Sequence, residues 1–281
     1  MSTTAAKSAR PERRRTPRVV EVLDVTQLTP RMVRIDFGGE GLEGFAAGEF
    51  TDHYVKIQFP PPGADYAVPF DQEEIRATRP REQWPRTRTY SVRAWDPDRL
   101  RLTVDFVVHG DEGIAGPWAQ QAAPGDRLQL QGPGGAYAPD PDAPAYLMVG
   151  DPSVMPAIAA ALERIPSGRR VDVVLQIADT DDQIELTTRG DLRLRWLHAP
   201  GDEVLVEAIR ELELPEQTDA FVHGEASSVR ALRRHLIVER GIPRDALSVS
   251  GYWKRARTEE GWREDKPEWN RLVQADEDQA A

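Results

Sequence analysis

The segment Pro139-Asp140-Pro141-Asp142-Ala143-Pro144 splits this chain into two halves that follow different rules. Proline has no backbone N–H and a fixed φ, so neither a helix nor a central strand runs through such a stretch. Upstream of it, residues 19–28, 32–37, 53–59, 87–94, 100–109 and 127–132 are short runs rich in Val, Ile, Leu and Tyr, bounded by Gly, Pro or Asp. Those are strand signals. Helical spacing shows only around residues 72–76 and 117–123. Short strands in that number predict a closed antiparallel barrel, because closure leaves no sheet edge exposed.

Downstream, the pattern alternates. Residues 145–149, 171–178, 192–197, 220–223 and 247–252 read as strands, and 203–212 and 227–240 as helices, the second closed by Gly241. Asp151 and Pro152 read as the N-cap and first position of a further helix through Met155, Ile158, Ala159 and Leu162, stopped by Pro166. Strands alternating with helices build a Rossmann-like parallel α/β sheet covered on both faces. The expected organisation is a disordered lead-in over 1–17, a six-stranded antiparallel β-barrel over 18–138, a linker over 139–144, an α/β domain over 145–257, and a C-terminal tail or helix over 258–281.

Composition narrows the chemistry. With no cysteine, disulfides, thiol catalysis and thiolate-bound clusters are excluded, so electron transfer would need an organic cofactor or a non-thiolate metal. The five histidines (His53, His109, His198, His223 and His235) lack the helical pairing of a metal site, and no metal is expected. No apolar run reaches membrane-spanning length, and no apolar segment follows the basic N-terminus, so a cytoplasmic protein without membrane insertion is expected. Arg10, Arg13, Arg14, Arg15 and Arg18 invite comparison with a nucleic-acid arm, but a net charge of −11 repels phosphate and favours a solvated tail.

The run Arg88-Thr89-Tyr90-Ser91-Val92-Arg93 offers a cation, an aromatic ring and a small hydroxyl within four residues. A planar redox cofactor with a pyrophosphate needs those three groups, provided a bend lets alternate faces of the strand converge. An ordinary barrel strand with one Tyr and two surface arginines reads equally from the hexapeptide alone. His109-Gly110-Asp111-Glu112-Gly113-Ile114-Ala115-Gly116-Pro117-Trp118-Ala119 follows a strand and opens a short helix, where glycines and free N–H groups suit a phosphate. Gly150-Asp151-Pro152-Ser153 and His223-Gly224-Glu225-Ala226 end two strands of the α/β half, at the edge where open sheets bind ligands. Ser250-Gly251-Tyr252-Trp253-Lys254-Arg255 sets an aromatic pair beside two cations. Each of these segments also reads as a structural turn or a packed strand end.

In order and spacing, from about Val19 to Arg255, these segments resemble the siderophore-interacting protein family, flavin-dependent ferric-siderophore reductases of the ferredoxin-reductase-like superfamily. The segment Asp52-His53-Tyr54-Val55-Lys56 resembles the family stretch before its flavin motif. The resemblance implies that the barrel binds FAD and the α/β domain NADPH or NADH. Arg88, Thr89, Tyr90, Ser91 and Val92, with Asp105 and His109, would hold FAD: Arg88 at the pyrophosphate, Tyr90 on the isoalloxazine, and Ser91 near N5. Gly113, Ala115, Gly116, Pro117, Trp118 and Ala119 would support its phosphates. Gly150, Asp151, His223, Gly224, Glu225 and Trp253 would line the nicotinamide side. Lys56 with Lys254 or Arg255 would receive a ferric siderophore. Tyr90 and Ser91 would carry catalysis by orienting the flavin, as hydride arrives from the nicotinamide and single electrons leave to Fe(III). A monomer is expected.

Three departures stand out. Gly134 lies where many relatives carry an arginine, Asp151-Pro152-Ser153-Val154-Met155-Pro156 replaces a more usual acid-threonine-alanine-leucine run, and Gly116-Pro117 offers no hydroxyl to the FAD phosphates. A general flavin or quinone reductase, a ferredoxin-dependent reductase, and a non-catalytic siderophore-binding protein are the alternatives. Arg189, Arg193 and Arg230 are candidates for a 2′-phosphate contact, and the role of Trp262 and Trp269 is open.

Overall fold

A computed structural model describes residues 17–110, 113–199 and 201–278. The expectations for residues 1–16, including the arginines at 10 and 13–15, and for Asp111 and Glu112 lie outside those residues. Six strands, β1 (Arg18–Thr29), β2 (Met32–Gly38), β3 (Tyr54–Phe59), β4 (Arg86–Asp96), β5 (Arg101–Val107) and β6 (Arg127–Gly134), close into an antiparallel barrel in the order β1-β2-β5-β4-β3-β6. Period-2 alternation drives the closure, with Val20, Val22, Ile35, Phe37, Val55, Ile57, Leu102, Val104, Leu128 and Leu130 all pointing into one core. Each such side chain contributes roughly 1.5–3 kcal/mol on burial. The short helix α1 (Gln72–Thr78) is capped by Asp71, and α2 (Ala115–Gln121) lays Trp118 parallel to Phe37 and edge-on to Phe59.

The second half is a five-stranded parallel sheet, β7 (Ala145–Gly150), β8 (Arg170–Gln176), β9 (Asp191–Leu197), β10 (Thr218–Glu225) and β11 (Leu247–Trp253), in the order β11-β10-β7-β8-β9. The central strands β7 and β10 are buried at every position, as a strand covered on both faces must be. Helix α3 (Met155–Leu162) covers one face, packing on Tyr146, Met148, Val171 and Val173. Helices α4 (Asp202–Arg210) and α5 (Ala226–Arg234) cover the other, over Leu147, Val149, Ala220 and Val222.

Two boundaries differ from expectation. Helix α3 starts at Met155 with Val154 as N-cap, not at Pro152, because the Asp151 carboxylate is taken up by other donors. The helix expected over 227–240 is regular only to Arg234 and then widens into a π-helical turn over His235–Glu239, where the buried His235 ring meets Glu239 at 2.7 Å.

The proline-rich link is pinned rather than loose. Asp219 accepts from the Tyr137 hydroxyl at 3.2 Å and the Asp140 N–H at 2.9 Å, while the Tyr146 hydroxyl donates to the Asp140 carbonyl. Ion pairs Arg93–Glu163 and Arg31–Asp182, each at 2.7 Å, tie barrel to sheet. These contacts join the two halves.

The open question of the C-terminal stretch has a definite answer. Residues Glu259–Asp278 form helix α6, which buries Trp262, Trp269 and Val273 against Ala226 and Val229 of α5. Their spacing of seven and four residues puts them on one helix face. The Trp262 indole donates to the Gly251 carbonyl and the Trp269 indole to the Ala226 carbonyl, so both rings bury without an unpaired N–H. Replacing Trp262 by Ala should lower the unfolding free energy by about 3–5 kcal/mol, read from urea unfolding. A loss under about 1 kcal/mol would mean that α6 is not docked in solution.

Candidate functional site

Pairing of β4 with β3 sets the site's geometry. Arg88 pairs with Ile57 and Tyr90 with Val55, while Thr89 pairs with Lys56 and Ser91 with Tyr54. Directly paired residues share a sheet face, so Arg88 and Tyr90 stand on the side of the buried Val55 and Ile57. Ser91 stands with Tyr54 on the other side, as alternation predicts. Just beyond, the register with β5 shifts between Val92 and Ala94, and the buried Val92 N–H donates to the His53 carbonyl at 2.6 Å.

On the first side, the Tyr90 ring lies 4.4 Å from Phe106, and burial pushes its phenol far up, keeping it neutral. The Arg88 guanidinium grips the Glu260 carboxylate through contacts of 2.6 and 3.4 Å. Burial raises the Glu260 carboxyl, but the hydrogen bond and charge of Arg88 outweigh it and hold the group below its ordinary range. Glu259 beside it is raised, chiefly by burial. The first turn of α6 thus holds Arg88, the residue expected at a pyrophosphate. Spacing within the barrel half contains no signal for this contact.

On the other side, Ser91 is buried within reach of the Tyr252 hydroxyl at the end of β11. Burial pushes the Tyr252 phenol up, and the Ser91 hydrogen bond pulls back against it. Tyr252 is an addition to the expected site. Its place beside Trp253 in an aromatic pair was the signal for it.

At the sheet edge, the buried Asp151 carboxylate uses its full acceptor capacity. One oxygen takes the Ser153 N–H at 2.8 Å and its hydroxyl at 2.5 Å, and the other takes the Glu225 N–H at 2.9 Å and the Trp253 indole at 2.8 Å. Burial raises the Asp151 carboxyl while these four donors work to lower it. Gly224, at φ 127°, admits this arrangement, since a side chain there would collide with the Asp151 carboxylate. Gly150 packs directly on Val154. Glu225 caps α5, accepting from the N–H groups of Ser227 at 2.6 Å and Ser228 at 3.1 Å, and its second oxygen accepts the Arg255 N–H. Both acids are therefore engaged in joining strand ends. Every carboxylate oxygen of the two accepts from a donor of this chain.

His223 stacks on Phe221 at 3.9 Å and meets Tyr252 edge-on, with Nε2 3.0 Å from the Ser248 hydroxyl. Burial, aided by Lys266, drives its pKa down to about 3.

Other expected residues are placed differently. The buried Asp105 carboxylate is held by Arg34 in a two-pronged ion pair at 2.7 and 2.9 Å. Trp118, Ala115 and Ala119 pack on the barrel core. His109 and Gly113 are exposed, and Gly116 and Pro117 lie in the first turn of α2, whose N-terminus has no side-chain cap. Lys56 and Thr89 are exposed neighbours. Lys254 does not join them. It lines an 830 Å³ cavity between α5 and α6 with Arg230 and Arg234, a cavity whose lining includes neither Lys56 nor Arg255. Arg189 and Arg193 are away from this cavity, Arg193 lining a separate one near β8 and β9.

The residues fit a flavin dinucleotide. Buried His53 Nε2 and His223 Nδ1 lack partners, α2 begins uncapped, and Arg88 faces an acidic group that a phosphate can replace. Among the described residues no cluster of His, Asp or Glu is arranged to hold a metal, and no helix is long and apolar enough to cross a membrane.

Two outcomes follow from these contacts. His223 is kept neutral in the fold but charges near pH 6.5 when unfolded, so the unfolded state binds the extra proton between about pH 6.5 and 3. Stability should therefore fall as pH drops below about 6.5, by up to about 1.4 kcal/mol per pH unit from this residue. His223→Gln should flatten that slope in urea titrations between pH 6.5 and 4.5; an unchanged slope refutes the assignment. Glu260→Gln removes the charge that competes for Arg88, so the apoprotein should bind FAD roughly fivefold more tightly by fluorescence titration. Weaker binding would mean Glu260 supports the cofactor.

The family profile for the siderophore-interacting FAD-binding domain matches residues 21–137, and that for the siderophore-interacting protein matches residues 143–256. The ferric vibriobactin reductase of Vibrio cholerae is 34% identical over 259 residues, covering 89% of this chain and 94% of that protein. The NADPH-dependent ferric-chelate reductase of Escherichia coli is 32% identical over 241 residues, covering 84% and 92%. The crystal structure of the siderophore-interacting protein from Aeromonas hydrophila superposes with a TM-score of 0.77 at 30% identity, covering 90% and 98% of the two chains. With its closed barrel, its parallel α/β sheet and both family domains in order, this chain belongs to the siderophore-interacting protein family.

Proposed function

We propose that this protein is an FAD-containing, NAD(P)H-dependent reductase of ferric siderophores, releasing iron as Fe(II). The observation that supports this most is the placement of Ser91 in the cleft between barrel and sheet, opposite Tyr252, within the FAD-binding domain of a family whose relatives include ferric reductases. Bound FAD supplies the conversion of a two-electron donor into one-electron steps.

The chain's own groups position and shield. Arg88 offers a guanidinium to phosphate oxygens once Glu260 yields it. Tyr90, neutral and backed by Phe106, offers an aromatic face. The Ser91 hydroxyl is an uncharged donor, buried and hydrogen-bonded to Tyr252 where barrel and sheet meet. No general acid or nucleophile is required; orientation carries the catalysis. Release follows because Fe(II) carries less charge and binds hard oxygen ligands less tightly than Fe(III).

A second reading concerns the donor. Asp151 and Glu225 place two carboxylates at the sheet edge where a nicotinamide dinucleotide would lie, and Glu225 already caps α5. Both carboxylates already accept from this chain's own donors and offer no free oxygen to a nicotinamide ribose or amide, which favours a protein donor such as a ferredoxin.

An anaerobic visible spectrum of the FAD-loaded protein separates these readings. Bleaching of the flavin band by NADPH or NADH, and its return on adding a ferric siderophore, is the expected result. A flavin that neither nucleotide bleaches, but reduced ferredoxin does, selects the second reading. Failure to bind FAD at all would overturn both. Ser91→Ala should slow flavin reduction roughly tenfold while leaving bound FAD intact, as loss of one hydrogen bond predicts.

A further inference from the structure

The acceptor's chemistry is legible where β3 meets β6. Tyr54 pairs with Gly134 on one side and with Ser91 on the other. The phenol ring lies across Gly134: a Cβ there would fall 2.7 Å from the ring's Cε1 and 2.6 Å from its hydroxyl oxygen. Any side chain at position 134 would force the ring out of this place. Glycine at this position therefore makes room for an aromatic ring.

The ring is not buried in exchange. Tyr54 keeps 37% of its surface exposed, and Trp253, next to Tyr252, keeps 39%. They are two of the four large hydrophobic residues that stand out as exposed among the described residues. The Tyr54 hydroxyl makes no hydrogen bond to another described residue, so polar anchoring does not account for its position. On the same face of β3 the only cation is Lys56, flanked by the neutral Thr89 and Gln131. Lys254, which could have reinforced it, lines the cavity between α5 and α6 instead. The chain as a whole carries −11, which adds long-range repulsion toward anions.

We infer that Tyr54, lying over Gly134, is an aromatic platform that selects Fe(III) chelates bearing an aryl ring and little net negative charge. This rests on the ferric-siderophore reading and adds to it the class of chelate. A ring stacked on Tyr54 sits beside Ser91, its partner across the ladder, and so beside the edge where the flavin is expected. Offset stacking between rings supplies affinity that charge does not, and it survives high salt.

The test uses matched chelates of Ga(III), which takes the same oxygen ligands as Fe(III) without accepting an electron, so affinity is read on the FAD-loaded protein without turnover. Tris(benzohydroxamate) and tris(acetohydroxamate) complexes are both neutral with the same donor atoms and differ in the phenyl rings; a tris(catecholate) complex keeps the rings but carries three negative charges. Tryptophan fluorescence titration should show the benzohydroxamate complex binding about five- to tenfold more tightly than the acetohydroxamate one. Tyr54→Leu should cut that preference to within about twofold with FAD content unchanged, and Tyr54→Phe should keep it. Gly134→Arg should displace the ring, weaken the aryl preference and tighten the catecholate complex about fivefold. Equal affinity for the two neutral chelates, a preference that survives Tyr54→Leu, or a wild-type protein that favours the trianionic chelate over the neutral aryl one would each overturn the inference. Turnover of the iron complexes is scored separately. A reduced flavoprotein that reduces none of them sinks the reductase reading, whereas reduction without aryl preference sinks only the platform.

Discussion

The Asp151 carboxylate is the contact on which the working arrangement depends. It sits at the end of β7 and binds donors from its own loop, from the start of α5 and from the Trp253 indole at the end of β11. A buried carboxylate is costly unless its lone pairs are filled, and here all four are. That requirement draws three strand ends to one point. Because Trp253 is held, Tyr252 before it is held as well, and Tyr252 is what meets Ser91 across the cleft. The Ser91 hydroxyl thus takes its surroundings from an acid in the other half of the protein.

Two more contacts make the halves a unit. Asp219 gathers Tyr137 and the linker N–H of Asp140, so the proline-rich segment becomes a strap rather than a hinge. Helix α6 then crosses from α5 to the barrel, anchored by Trp262 and Trp269 and ending its first turn on Arg88. A carboxylate on the arginine expected at a pyrophosphate keeps that guanidinium extended and paired.

Electrostatics also explains why the acceptor is not read by charge. Most arginines in the cleft region are paired: Arg31 with Asp182, Arg34 with Asp105, Arg88 with Glu260 and Arg93 with Glu163. These pairs hold the fold and leave Lys56 as the cation on its strand face. In an acidic protein with these four cations engaged, the aromatic surface inferred at Tyr54 holds a bulky ligand without relying on charge.

The barrel and the parallel sheet were legible in the sequence because each rests on a local period: two for β1 to β6, and strand runs alternating with helical spacing after Pro144. The chemical signature around Arg88, Tyr90 and Ser91 was legible too, since the residues needed are neighbours on one strand. The pairing of Asp105 with Arg34 was not legible because the two lie on different strands, nor was the place of Lys254 beside α6, whose three buried apolar residues carry a faint signal. Position 134 was visible as a missing arginine, but not as the seat of the Tyr54 ring. Sequence alone determined which elements form and which side chains carry chemistry, because helix and strand periods and residue types are local properties. Tertiary structure decided which carboxylate meets which cation, what covers Arg88 and what lies on Gly134, because those depend on approaches between segments far apart in the chain.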